Sequence, residues 1–256
     1  MRVCLLASGS KGNSIYLEAG DSKFLIDAGL SASELLRRLG SVGAEGAELD
    51  AILISHEHTD HVRGAGTLAR KLKIPLLVSH RTRQAAGDFI GKAETIEFDS
   101  GSPFNFKDIK IDPFPITHDA SDPVGFIIEC DDGKFGMATD LGIVTRLVKE
   151  KLKGCRALVL ESNHDEDMLQ NGPYPWHLKQ RIKSRHGHLS NAEFAELLDE
   201  IIHPELNAVF LAHLSEVNND PAIALDVATR LLLARDICET RLILGEQYRS
   251  SQMLTV

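Results

Sequence analysis

The sequence predicts a large α/β domain, on three observations. Short apolar runs bounded by polar turns recur along the chain and read as buried strands. Segments with helical apolar spacing and capping signals lie between them. Several of the strands end in histidine or aspartate, which gathers reactive side chains at strand termini.

With 256 residues and 43% apolar content the chain can bury a sizeable core, and residues 1–256 are expected to form one domain. No apolar run approaches a membrane span, and Val3–Ala7 is too short for a secretory signal. A cytoplasmic protein without a membrane partner is expected. Cys4, Cys130, Cys155 and Cys238 are scattered, which indicates neither a disulfide framework nor a thiolate zinc site, and they read as ordinary core residues. The net charge of −9 gives no global attraction to nucleic acid, but Lys179–His186 is locally basic and can steer an anionic substrate.

In chain order, Arg2–Ala7 and Ile15–Ala19 read as strands of an antiparallel hairpin around Ser8-Gly9-Ser10-Lys11-Gly12-Asn13-Ser14. A glycine-serine loop can cradle phosphate, but this one lacks P-loop spacing, and the turn reading is preferred. Phe24–Ile26 is a third strand. It ends at Asp27, which either caps the next turn or orients a neighbouring loop. Ser31 and Glu34 form a capping box for a helix ending near Gly40.

The apolar strand Ile52-Leu53-Ile54 then runs into Ser55-His56-Glu57-His58-Thr59-Asp60-His61. Side chains two apart on an extended segment share a side, so His56 and His58 can converge on one ion. A helix over Val62–Leu72 would swing Asp60 and His61 toward a second position. Imidazole and carboxylate at this density are what zinc, iron or manganese sites use, and two adjacent ions are expected from this loop. Glu57 faces away.

Pro75–Val78, Thr95–Phe98, Pro103–Phe106 and Ile109–Pro115 follow as strands, with a helix at Arg81–Ala86, and the last strand leads into His118. Val124–Cys130 and Lys134–Ala138 pair around Asp131-Asp132-Gly133. Beyond them Asp140 either bridges two cations or caps a helix over Ile143–Lys151. Ala157–Leu160 is a strand that ends in Glu161-Ser162-Asn163-His164-Asp165, and Leu169–Arg185 is irregular, then helical. Ser190 and Glu193 cap a helix carrying Phe194, Leu197, Leu198 and Ile201. Its amino end, beside His188 and the basic run, is either a phosphate site or simply a well-capped surface helix. Ala208–Ala212 ends at His213, Asp220-Pro221 opens the last long helix, and Arg241–Leu244 is a final strand. The tail from Gln247 carries no signal.

In content and order, His56-x-His58-x-Asp60-His61 followed by His118, Asp140 and His213 resembles the metallo-β-lactamase superfamily over essentially the full length. The resemblance implies an αββα four-layer sandwich, two mixed β-sheets flanked by helices, with metal at one rim. It implies two divalent metal ions, one on His56, His58 and His118, the other on Asp60, His61 and His213, with Asp140 bridging them and Asp27 supporting the loop. No cysteine falls in a matching motif, which disfavours antibiotic hydrolysis. The Ser8–Ser14 loop, Glu161–Asp165, Gly187-His188-Leu189-Ser190-Asn191 and His213-Leu214-Ser215 are similar to the YycJ/WalJ-type branch, regarded as 5′-to-3′ DNA exonucleases. The interval from Asp140 to His213 is too short for the inserted domain of β-CASP nucleases, and there is no flexible arm of the ribonuclease Z type.

The resemblance therefore implies a metal-dependent phosphodiester hydrolase, a 5′-to-3′ DNA exonuclease whose dinuclear-metal-bound hydroxide attacks phosphorus. Asp60 is expected to orient the nucleophile as well as bind metal, and His188 to hold a phosphate oxygen or protonate the leaving oxygen. His164 and Ser190 are the further phosphate contacts expected, and DNA 5′ ends are the expected partner. Zinc, manganese and iron all suit the ligand set. The alternative is a small-molecule hydrolase of the same fold, acting on a cyclic phosphodiester or thioester. A metal-stabilised binding protein without turnover is disfavoured, because structural zinc sites are closed and four-coordinate rather than paired.

Overall fold

From Val3 to Ala7 every residue of β1 (Arg2–Ala7) is buried, and the two faces go to different cores: Val3 and Leu5 to one, Cys4 and Leu6 to the other. A strand apolar on both faces needs a covering layer on each side. A computed structural model of the chain, describing residues 1–237 and 239–256, supplies both layers; Cys238 lies outside the described residues.

The first sheet places β1, β2 (Ser14–Ala19), β3 (Ser22–Ile26), β4 (Ala51–Leu53), β5 (Leu76–Ser79) and β6 (Thr95–Phe98) side by side in chain order. The second does the same with β7 (Phe104–Phe106), β8 (Ile109–Pro115), β9 (Val124–Cys130), β10 (Gly133–Ala138), β11 (Ala157–Glu161), β12 (Ala208–Ala212) and β13 (Arg241–Leu244). A short last strand, β14 (Leu254–Thr255), returns to pair antiparallel with β1. Both sheets are mixed, antiparallel from β1 to β3 and from β7 to β10, parallel from β3 to β6 and from β10 to β13.

Their inner faces interlock Leu5, Leu17, Phe24 and Ile26 with Phe126, Phe135, Val159 and Phe210. The helices are α1 (Ala32–Ser41), α2 (Thr59–Val62), α3 (Ala65–Leu72), α4 (His80–Ala86), α5 (Arg146–Leu152), α6 (Glu166–Asn171), α7 (Trp176–Ile182), α8 (Asn191–Ile201) and α9 (Pro221–Ala234). α1 to α4 cover the outer face of the first sheet, and α5, α8 and α9 that of the second. This is the four-layer αββα sandwich. Among the described residues no helix is long and apolar enough to cross a membrane.

Four local expectations are corrected. The helix expected over Val62–Leu72 is broken into α2 and α3 at Gly64, which packs on the loop between β3 and α1; a Cβ there would come within 2.1 Å of the Leu30 carbonyl oxygen. The helix expected from Ile143 starts at Arg146 and is capped by Thr145, which leaves Asp140 free of a capping role. Only half of the Ser31 capping box forms: Ser31 accepts from the Glu34 amide, but the Glu34 carboxylate accepts from Arg37 and Arg38. The tail from Gln247 does have structure: the buried Arg38 guanidinium donates to the carbonyls of Leu6 and Gln247, and Leu254–Thr255 pair with β1.

Candidate metal centre

Parallel connections bring the carboxyl ends of several strands to one rim, the place where α/β sheets offer a crevice. Asp27 follows β3, the loop His56–His61 follows β4, Asp140 follows β10, Glu161 ends β11 and His213 follows β12. Three of these residues turn sharply out of their strands in the left-handed region, with φ of 62° at Asp27, 57° at Asp140 and 56° at His213. Close approach tightens the rim further. Gly29 lies so near the metal loop that a Cβ would stand 1.6 Å from the Asp60 carbonyl oxygen.

Each of five imidazoles has one nitrogen tied to an oxygen, which fixes where the other points. Asp27 accepts from the Ser55 amide at 2.8 Å and from its hydroxyl at 2.7 Å, and its Oδ2 lies 2.8 Å from His61 Nδ1. The Ser55 hydroxyl, already donating, accepts from His56 Nδ1 at 3.0 Å. His58 Nε2 donates to the Asp119 carbonyl at 2.9 Å, and His118 Nδ1 to the Gly187 carbonyl at 3.3 Å. His213 Nδ1 lies 2.9 Å from Glu161 Oε1, while its backbone is held by the Ser8 hydroxyl and by Asn163.

The free nitrogens converge. His58 Nδ1 and His118 Nε2 face each other at 3.3 Å; because carbonyls only accept, both present lone pairs, an arrangement that calls for a cation between them. His61 Nε2 stands 3.4 Å from Asp140 Oδ2 and 3.5 Å from Asp60 Oδ2, and His213 Nε2 stands 3.6 Å from Asp140 Oδ1. Three buried atoms at this point, His56 Nε2, Asp140 Oδ2 and His213 Nε2, make no hydrogen bond among the described residues. Buried polar atoms are left unpaired at a cost, and this donor set of imidazole and carboxylate fits divalent metal. Two clusters with ligand spacing lie side by side, His56/His58/His118 and Asp60/His61/His213, and Asp140 stands with His56 and His61 in a third that joins them.

Charge follows the same geometry. Burial disfavours the charged form of His56 and His118 and holds both below the ordinary histidine value. Burial acts on His61 and His213 too, but Asp140 outweighs it, with Asp27 at the first and Asp60 and Glu161 at the second, and both are raised. Burial would raise Asp60 and Asp140; His213 and His61 outweigh it and hold both carboxyls well below the usual carboxylate range.

Glu161 has a larger part than its place in the sequence suggested. It is fully buried, and its Oε2 accepts from the amides of Leu141 and Leu189 while its Oε1 meets the Nδ1 atoms of His188 and His213 at 2.8 and 2.9 Å. Burial would raise this carboxyl, but the His188 and His213 rings hold it down at about 2. His188 is thereby turned to line a cavity of about 230 Å³, shared with His118, His213, Ser10 and the apolar residues Tyr174 and Leu178. The structure does not bring His164 and Ser190 to this cavity. Both are buried, the Ser190 hydroxyl is engaged with Glu193 in a complete capping box, and burial pushes His164 down to about 4. Asn13, from the glycine-serine loop, does reach the centre, donating to Asp60 Oδ2 at 3.1 Å.

Residues 22–213 match the beta-lactamase superfamily domain. The chain is 39% identical over 225 residues to exodeoxyribonuclease WalJ of Streptococcus pneumoniae, covering 86% of this chain and 84% of that one. It is 38% identical, with the same coverage, to exodeoxyribonuclease YycJ of Bacillus anthracis. Among solved structures, Zn²⁺-bound PqqB from Methylobacterium extorquens superposes over 100% of both chains with a TM-score of 0.73 at 17% identity, a likeness of fold.

Proposed function

The chain belongs to the beta-lactamase superfamily, and from that premise we propose that it is a metal-dependent phosphodiester hydrolase, a 5′-to-3′ DNA exonuclease acting in the cytoplasm. The observation that carries the reading is the convergence of five anchored imidazoles and two carboxylates beside a cavity lined by His188. The relatives named exodeoxyribonuclease, at 38% and 39% identity, support DNA as the substrate.

In this reading His56, His58 and His118 hold one divalent cation and Asp60, His61 and His213 a second, with Asp140 shared; zinc, manganese and iron all suit the set. When bound, the pair would supply Lewis acidity toward the phosphoryl oxygens and lower the pKa of water. The chain's own groups do the rest. Asp60, held by Asn13, accepts a hydrogen bond from the attacking water and so aims it. His188 donates from Nε2 to a non-bridging oxygen or hands its proton to the leaving oxygen, and the Glu161 carboxylate at Nδ1 orients the ring. Asp27 and Ser55 keep the loop in register throughout.

The test is a time course on end-labelled single- and double-stranded DNA, with and without a 5′ phosphate, in manganese and in zinc. Stepwise shortening from the 5′ end, absent in Asp140→Ala, is expected. No degradation by protein carrying two ions would move the reading to a small diester or thioester.

A further inference from the structure

A short helix ordinarily earns its place by burying a face, yet no residue of α7 is buried. Its apolar residues are nonetheless ordered. Leu178 and Ile182, four positions apart, share one side of it, and Tyr174 lies just before its first turn. All three line the cavity of about 230 Å³ that also contains His118 and His188. Arg181 lines it as well and pairs with the exposed Asp119 at 3.2 Å. Lys179, Lys183 and Arg185 make the same segment basic.

An apolar wall turned toward a polar site, and not toward the core, suits a ligand with one flat apolar face and an anionic edge. We propose that the Tyr174–Leu178–Ile182 face is the wall against which the nucleobase of the strand's terminal nucleotide lies, with Arg181 toward the next phosphate. The inference rests on the nuclease reading above. Apolar contact has no base code, so all four bases are accepted.

Trp176, the chain's single tryptophan, opens α7 and reports on it by fluorescence. Metal-loaded protein is titrated with a 5′-deoxynucleoside monophosphate and with 2-deoxyribose 5-phosphate, which lacks the base, and the affinities are checked by calorimetry. The nucleotide is expected to bind about tenfold tighter or better. Leu178→Ser combined with Ile182→Ser should erase most of that preference while leaving sugar-phosphate affinity, metal content and melting temperature unchanged. Equal affinities in the wild type, or an undiminished preference in the double variant, would overturn the proposal. DNA turnover is measured alongside, on strands whose 5′ nucleotide is normal or abasic. Base-dependent binding without hydrolysis of either strand supports the wall and overturns the nuclease reading; hydrolysis of both strands with the same KM and kcat overturns the wall and keeps the nuclease.

Discussion

His188 Nδ1 lies 2.8 Å from Glu161 Oε1, a carboxylate that solvent does not reach. The same oxygen meets His213, so one acid sets the direction of a ring in the cavity and of a ring in the metal centre. The two substitutions should therefore separate. His188→Ala is expected to keep its metal and lose about 10²- to 10⁴-fold in turnover. Glu161→Gln should lose turnover and also weaken metal retention about 10- to 100-fold, because His213 loses its anchor. Metal analysis beside DNA turnover decides it: an unchanged rate in His188→Ala removes that ring from the chemistry.

Asp140 combines a central carboxylate with a left-handed backbone. Alanine there adds roughly 1–2 kcal/mol of strain, whereas asparagine tolerates the conformation. Asp140→Asn should thus melt close to the wild type and yet bind less metal and lose activity. Two ions retained in Asp140→Asn, with turnover intact, would refute a shared ligand.

Gly29 has no space for a side chain, since a methyl group would overlap the Asp60 carbonyl. Gly29→Ala is expected to displace the loop carrying Asp60 and His61, costing about 1–3 kcal/mol and lowering metal content. Urea unfolding and metal analysis read the two effects; a variant with native stability and full metal would show that the loop has slack.

Acid should weaken the attachment of α1. The Glu34 carboxyl is held down at about 2, first by hydrogen bonds from Arg37 and then from Arg38. Its folded value lies below the ordinary 4.5, so its contribution is complete above pH 4.5 and is lost as pH falls toward 2. The pair is partly exposed, so Glu34→Gln should cost less than about 1 kcal/mol at pH 7 and should flatten the acid limb of the stability curve. An acid limb identical to the wild type would mean that Glu34 is not among the carboxylates that set it.

The metal loop is legible in the sequence because its chemistry is local: His56, His58, Asp60 and His61 are neighbours along the chain, although their aim is set by the turn into α2 and by Ser55, Asp119 and Asp27. His118, Asp140 and His213 are legible as strand ends, and the sandwich is legible only through the family resemblance that these residues carry. Glu161 is a strand end too, but its part depends on Leu141, Leu189, His188 and His213, which only the fold assembles. The capping box at Ser190 is a local feature and is present, and it engages the hydroxyl with Glu193. The break at Gly64 and the pairing of β14 are likewise set by distant partners, the Leu30 carbonyl and β1. α7 falls where Leu169–Arg185 reads as irregular and then helical, but its bounds are not legible, because Pro173 and Pro175 interrupt any longer periodicity and its apolar side faces a cavity.

The backbone turns at Asp27, Asp140 and His213 set durability against activity. Glycine would relax all three, and none is glycine. A library of variants selected only for survival at high temperature should therefore drift toward glycine or asparagine at these strand ends, and toward inactivity with it. Screening for heat resistance and screening for turnover would recover opposite residues at the same three codons.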